Sequence, residues 1–110
     1  NGTFTLGENI GDLGGISTPL KASLDSLEGQ EPPVIEGFTG VQRVFIGFGR
    51  VWRSKIRDEA LRTQIATDPH SPGIYRANGS VRNVPEWYSA FEVGESNKLY
   101  LAPEERVKIW

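Results

Sequence analysis

Glu8 and Asp12 stand four residues apart in the run Glu8-Asn9-Ile10-Gly11-Asp12-Leu13-Gly14-Gly15. On a helix that spacing stacks two carboxylates one turn apart on the same face. Such a pair can give a ligand to a metal ion, orient a neighbouring ligand, or simply keep a surface wet. The chain has one histidine in 110 residues and no HExxH run, so it cannot build a two-histidine, one-carboxylate zinc site from its own residues. By residue type alone the pair is half of a metal site or a solvated acidic face, and spacing does not choose between them. That histidine, His70, lies in the proline-flanked stretch Asp68-Pro69-His70-Ser71-Pro72-Gly73. It is a candidate proton donor or a plain polar loop residue. Arg76 is a candidate binding fork for carbonyl or carboxylate groups, or a surface partner for one of fourteen acids. Val51 and Trp52 end the stripe Val41, Val44, Phe45, Phe48, Val51, Trp52 and Ile56, whose default role is core packing.

The elements that must carry these groups read as mainly helical. Leu6, Ile10, Leu13, Leu20 and Leu24 recur at helical spacing, with Glu8 and Asp12 nearly opposite, and predict a first helix from about Leu6 to Ser26, kinked or interrupted at Pro19. Gly11, Gly14 and Gly15 each cost a helix interior roughly 1 kcal/mol, a cost that makes sense where a second element approaches the carboxylate face. A loop or linker spans about residues 27–38, around Gly29 and Glu31-Pro32-Pro33. A second helix follows over about Gly40 to Ser54, and a third over about Asp58 to Ala66 with Leu61 and Ile65 one turn apart. Pro69, Pro72 and Gly73 form a loop that restricts His70, and Asn78-Gly79 marks a turn. The last helix starts at Pro85 and buries Trp87, Tyr88 and Phe91 on one side, and an alternating tail, Val107-Lys108-Ile109-Trp110, packs on the body.

Four segments in order carry a more specific signal. Gly7-Glu8-Asn9-Ile10-Gly11-Asp12-Leu13-Gly14-Gly15 resembles the GENxADxGG signature of the neprilysin-like zinc metallopeptidases, with Gly11 in place of the usual alanine. Phe48-Gly49-Arg50-Val51-Trp52 is similar to that family's FAQxW helix. Thr67-Asp68-Pro69-His70-Ser71-Pro72-Gly73-Ile74-Tyr75-Arg76 is similar to its TDxHSPxxxR segment, and Val107-Lys108-Ile109-Trp110 to its terminal xxxW. The resemblance implies the C-terminal helical segment of a thermolysin-like zincin (gluzincin) catalytic domain, residues 1–110, without the HExxH helix. It implies one zinc ion per complete domain, with Glu8 as the third zinc ligand. Asp12 would orient a zinc histidine, His70 would donate to the oxyanion, Arg76 would bind a carbonyl of the peptide substrate, and Val51 with Trp52 would line the S1′ subsite. The implied partners are peptide substrates and the remaining N-terminal part of the same peptidase, without which this segment is inactive.

Composition fits that frame. With 37% hydrophobic and 24% charged residues the balance is globular, and a net charge of −2 without a basic run gives nucleic acid no electrostatic footprint. No apolar run of ~18 residues occurs, so this segment gives no sign of a membrane span. The absence of cysteine excludes a disulfide framework; because extracellular animal members of the resembled family carry several cysteines, the resemblance then implies a bacterial or other non-animal source, with a cytoplasmic, secreted or anchored parent all open. Two rival readings remain at this level. One is a catalytically dead relative that serves as a peptide-binding or regulatory module; the other is a free-standing helical interaction domain.

Overall fold

The computed structural model of the chain describes residues 2–109. It contains α1 (Gly2–Ser26), α2 (Gly40–Val51), α3 (Asp58–Thr67), α4 (Gly73–Val81) and α5 (Pro85–Phe91), then a 3-10 turn at Pro103–Glu105, with no strand among the described residues. The mainly helical expectation holds. Asn1 and Trp110, the latter the anchor of the terminal xxxW match, lie outside the described residues.

α1 runs unbroken for 25 residues with Pro19 inside it, so the expected interruption does not occur. Proline removes one hydrogen bond to the carbonyl four residues earlier, that of Gly15. Burial of Leu13, Ile16 and Leu20 on the flanking turns offsets that loss. The buried stripe is also not the one expected. Ile16 is only 2% exposed, whereas Leu6 and Leu24 are exposed and Asp12 is buried. The helix is rotated so that an acid, and not only leucines, faces the body of the protein.

α2 starts at a capping box. Thr39 Oγ1 accepts from the backbone N–H of Gln42 (3.1 Å), and Gln42 Oε1 accepts from the backbone N–H of Thr39 (2.9 Å). The Gln42 amide then donates to the carbonyl of Ala90 (2.7 Å), which ties α2 to α5. Phe45 is the buried residue of α2, with Val41, Val44 and Phe48 partly buried against the same cluster. Val51 departs from the expected stripe, being 73% exposed, and Ile56 lies exposed beyond the helix end.

α4 overturns the reading of Gly73 as loop and of Asn78-Gly79 as a turn. Pro72 sits just before its first residue with φ −53°, already set for helix entry, and Asn78-Gly79 lies inside the helix. Burial of Arg76, Ser80 and Val81 on one side of it outweighs the poor helix propensity of Asn and Gly. α1 packs on α4 and α2, and α2 on α5 and α4. The core gathers Leu13, Ile16, Leu20, Phe45, Val81 and Val84.

In α5 Tyr88 is buried as expected, whereas Phe91 is exposed. The residues after α5 are fastened by side chains to backbone. The Tyr88 hydroxyl donates to the carbonyl of Arg82 (2.6 Å) and accepts from the N–H of Leu101 (3.1 Å). Arg82 donates to the carbonyls of Leu99 and Tyr100, and the Arg106 guanidinium lies 3.6 Å over the Tyr88 ring. Val107 and Ile109 of the tail remain exposed, so the expected packing of their side chains is not seen.

The core is small for the length. The radius of gyration is 15.3 Å, against about 13 Å for a closed domain of this size. Phe4, Leu6, Ile65, Ile74 and Tyr75 are among the large apolar side chains left in solvent. Ile16→Ala therefore removes a disproportionate share of the burial. It is expected to lower unfolding free energy by about 3 kcal/mol in a urea melt, whereas Leu6→Ala costs under about 0.5 kcal/mol.

Candidate functional site

Glu8, Asp12, His70 and Arg76, which come from α1, the α3–α4 connection and α4, meet at one place. Arg76 is buried and aims its guanidinium at α1. Its Nε–H donates to Asp12 Oδ2 (2.5 Å) and its Nη2 to Asp12 Oδ1 (2.8 Å), a two-pronged pair spanning 64 positions of sequence. Nη2 also lies 3.4 Å from Glu8 Oε2. Asp12, read from the sequence as nearly opposite the leucine stripe of α1, is thus 7% exposed, with Arg76 at 8%. The burial is possible because each charge has a hydrogen-bonded opposite.

His70 is set by its own loop. Asp68 Oδ1 accepts from the backbone N–H of His70 (2.8 Å) and faces its ring Nδ1 at 2.6 Å. Gln64 donates to the His70 carbonyl (3.2 Å). With Nδ1 held by Asp68, Nε2 points across to Glu8 Oε2 at 3.1 Å. The His70 and Glu8 side chains are 45% and 44% exposed, so both remain accessible at the mouth of the site. Hydrogen bonding from the His70 backbone, then from its ring, holds the Asp68 carboxyl below the ordinary aspartate range. Asp68 is the residue that the sequence reading passed over. Its signal was present: an aspartate two residues before a histidine, with proline between, is the spacing at which a carboxylate caps the second N–H on.

Trp52 follows the last residue of α2, and its ring lies 4.0 Å below the Arg76 guanidinium carbon. Phe48 meets the same indole edge to face, 6.3 Å between centroids. Beside it, Ile46, Trp52, Ser54, Gly73, Ile74 and Ala77 are among the residues lining a cavity of about 400 Å³ between the end of α2 and the start of α4. Val51 points to solvent, and no recorded contact joins it to Glu8, Asp12, His70 or Arg76.

The donor set decides what the site can hold. Among the described residues no group of three His, Cys, Asp or Glu side chains is arranged to bind a metal ion. Glu8 offers one accessible carboxylate, which meets His70 and Arg76 through Oε2. That fits one ligand of a zinc site completed by residues from elsewhere, and not a site made by this chain alone. The approach of a second element to Gly11 or Gly15 of α1 is likewise not seen among the described residues. A side chain placed at Gly11 or Gly15 would meet nothing within 4 Å.

The model of peptidase family M13 matches residues 1–107. The neutral endopeptidase of Lactococcus lactis subsp. lactis is 34% identical over 110 residues, covering all of this chain and 16% of its own length. Neprilysin of Oryctolagus cuniculus is 35% identical over 113 residues, all of this chain and 15% of its own length. Among solved structures, the zinc metalloprotease Zmp1 of Mycobacterium tuberculosis in complex with an inhibitor superposes with a TM-score of 0.97. It has 53% identity over 99% of this chain and 17% of that one. The open state of Zmp1 gives 0.95. The chain spans about a sixth of the length of these relatives.

The depressed Asp68 carboxyl has a pH signature. A carboxylate held below its unfolded value of about 3.9 stabilises the fold above that value and loses the contribution as pH falls through its folded value. The stability difference between wild type and Asp68→Asn is therefore expected to be constant near neutrality and to narrow below about pH 4, as read by melts across a pH series.

Proposed function

The chain belongs to peptidase family M13, and from that membership we propose that it is the part of a zinc-dependent metalloendopeptidase that carries one zinc ligand and the groups that grip the substrate and its transition state. The observation that carries this reading is the convergence of Glu8, Asp12, His70 and Arg76 at one place, brought there by three separate stretches of chain.

In this reading Glu8 holds zinc together with two histidines of an HExxH segment that lies outside these 110 residues. The zinc, when bound, supplies Lewis-acid polarisation of a water and of the scissile carbonyl. The rest is the work of this chain. Asp12 spends one lone pair of each oxygen on Arg76 and has others left, so it can also accept the outward N–H of a zinc histidine. His70, its Nδ1 fixed by Asp68, presents Nε2 beside Glu8, where negative charge develops as a peptide carbonyl is attacked. Arg76 uses Nε and Nη2 within the protein and keeps Nη1, which has no acceptor among the described residues, to bind a substrate carbonyl. Val51, exposed at the last turn of α2, is available to line the S1′ subsite. The substrates are peptides, and the segment has no activity without the rest of the peptidase.

The test is made in the complete peptidase. Glu8→Ala is expected to weaken zinc binding at least 100-fold and to abolish hydrolysis, measured as metal content after dialysis and as peptide cleavage. His70→Phe is expected to keep its zinc and lose about 100-fold in kcat. Full zinc occupancy in Glu8→Ala would remove Glu8 from the metal and leave a peptide-binding module as the better account.

A further inference from the structure

The Asp12–Arg76 pair fixes the guanidinium only within its own plane. Two near-parallel hydrogen bonds to one carboxylate still let the plane rock about the axis joining the two groups, which would swing Nη1 away from any fixed direction. A flat surface against one face of the guanidinium removes that freedom. Trp52 provides one, with the guanidinium carbon 4.0 Å from its ring centroid.

Three further features mark Trp52 for this task. Its Nε1–H is buried without an acceptor among the described residues, a cost that a phenylalanine would avoid, while the indole is the strongest of the aromatic faces for a cation. Phe48 backs the indole edge to face, so the ring does not turn freely. Finally, the chain of α4 passes directly over the carbonyl of Trp52 at Gly73, where an added Cβ would collide with that oxygen. The lack of a side chain at Gly73 lets α4, which carries Arg76 one turn further on, seat against the residue that stacks on Arg76.

We propose that Trp52 is a positioning residue: its indole face locks the tilt of the Arg76 guanidinium and so aims Nη1 at the substrate backbone. This rests on the reading of Arg76 as a peptide-binding group, and it differs from a role for Trp52 as pocket wall. A wall discriminates among side chains of the residue after the scissile bond. An aimed guanidinium contacts backbone and is indifferent to them.

The experiment uses the complete zinc-loaded peptidase and a peptide series varied only at that residue. Trp52→Leu, which keeps apolar bulk and removes the face, is expected to raise KM about fivefold by the same factor for every peptide, with kcat and zinc content unchanged. Trp52→Phe is expected to recover part of the loss. In an Arg76→Ala background Trp52→Leu is expected to add almost nothing. Gly73→Ala, which pushes α4 off Trp52 without altering either side chain, is expected to reproduce the uniform KM rise. A KM change that depends on the varied residue, or one that persists in full without Arg76, would overturn the positioning role while leaving Arg76 as a substrate group. If Arg76→Ala leaves KM unchanged, the substrate role of Arg76 falls first and the positioning of Trp52 falls with it.

Discussion

The buried pair between Asp12 and Arg76 is the constraint from which the arrangement of the site follows. It joins the helix that bears Glu8 to the helix that follows His70, across 64 positions of sequence. Breaking such a pair by removing one partner typically costs 3–5 kcal/mol, because the survivor is left charged and enclosed. A core of this size has little else to hold α1 and α4 in register at their polar end. The apolar contacts of Leu13, Ile16 and Val81 set how close the two helices lie, and the ion pair sets how they are turned.

Around that pair each polar group has a second function in the geometry. Arg76 reaches Glu8 as well as Asp12, Glu8 meets His70, and His70 is held by Asp68. The chain is therefore a connected run from Asp12 to Asp68 in which no member is placed by its own helix alone. The neighbouring aromatic residues Trp52 and Phe48 bring the end of α2 into the same unit. Partial exposure rises along the run, from enclosed Asp12 to open His70, so the rigid end lies inside and the chemically available end outside.

Local signals made much of this legible in sequence. The α1 carboxylate spacing, the start of α2 near Gly40, the limits of α3 and the proline that opens α5 are all written in adjacent residues. The identities of Glu8, Asp12, His70 and Arg76 came from motif resemblance, and the fold gathers all four. What local reading missed was decided by contacts far away in the chain. Asp12 looks solvent-facing until Arg76 is brought to it, and α4 looks like a turn until the same contact pays for a helix through Asn78 and Gly79. Ile16 escaped notice because the buried stripe follows the side that meets α2 and α4, and not the most regular row of leucines. Val51, at the last turn of α2, kept the period of the core stripe but lies past the point where anything packs over it.

Pro19 has a mechanical meaning for the end of α1 that carries Glu8. The carbonyl of Gly15 lacks its intrahelical donor, which leaves the middle of a 25-residue helix with a soft joint. Asp12 lies about 4.5 Å beyond that joint and Glu8 about 10 Å, at 1.5 Å per residue, so a small bend at Gly15 becomes an ångström-scale displacement of the Glu8 carboxylate. The helix therefore acts as a hinged arm. Its free end is braced by the guanidinium of Arg76, so the position of Glu8 is governed by a cross-strut to another helix and not by the stiffness of the helix that carries it.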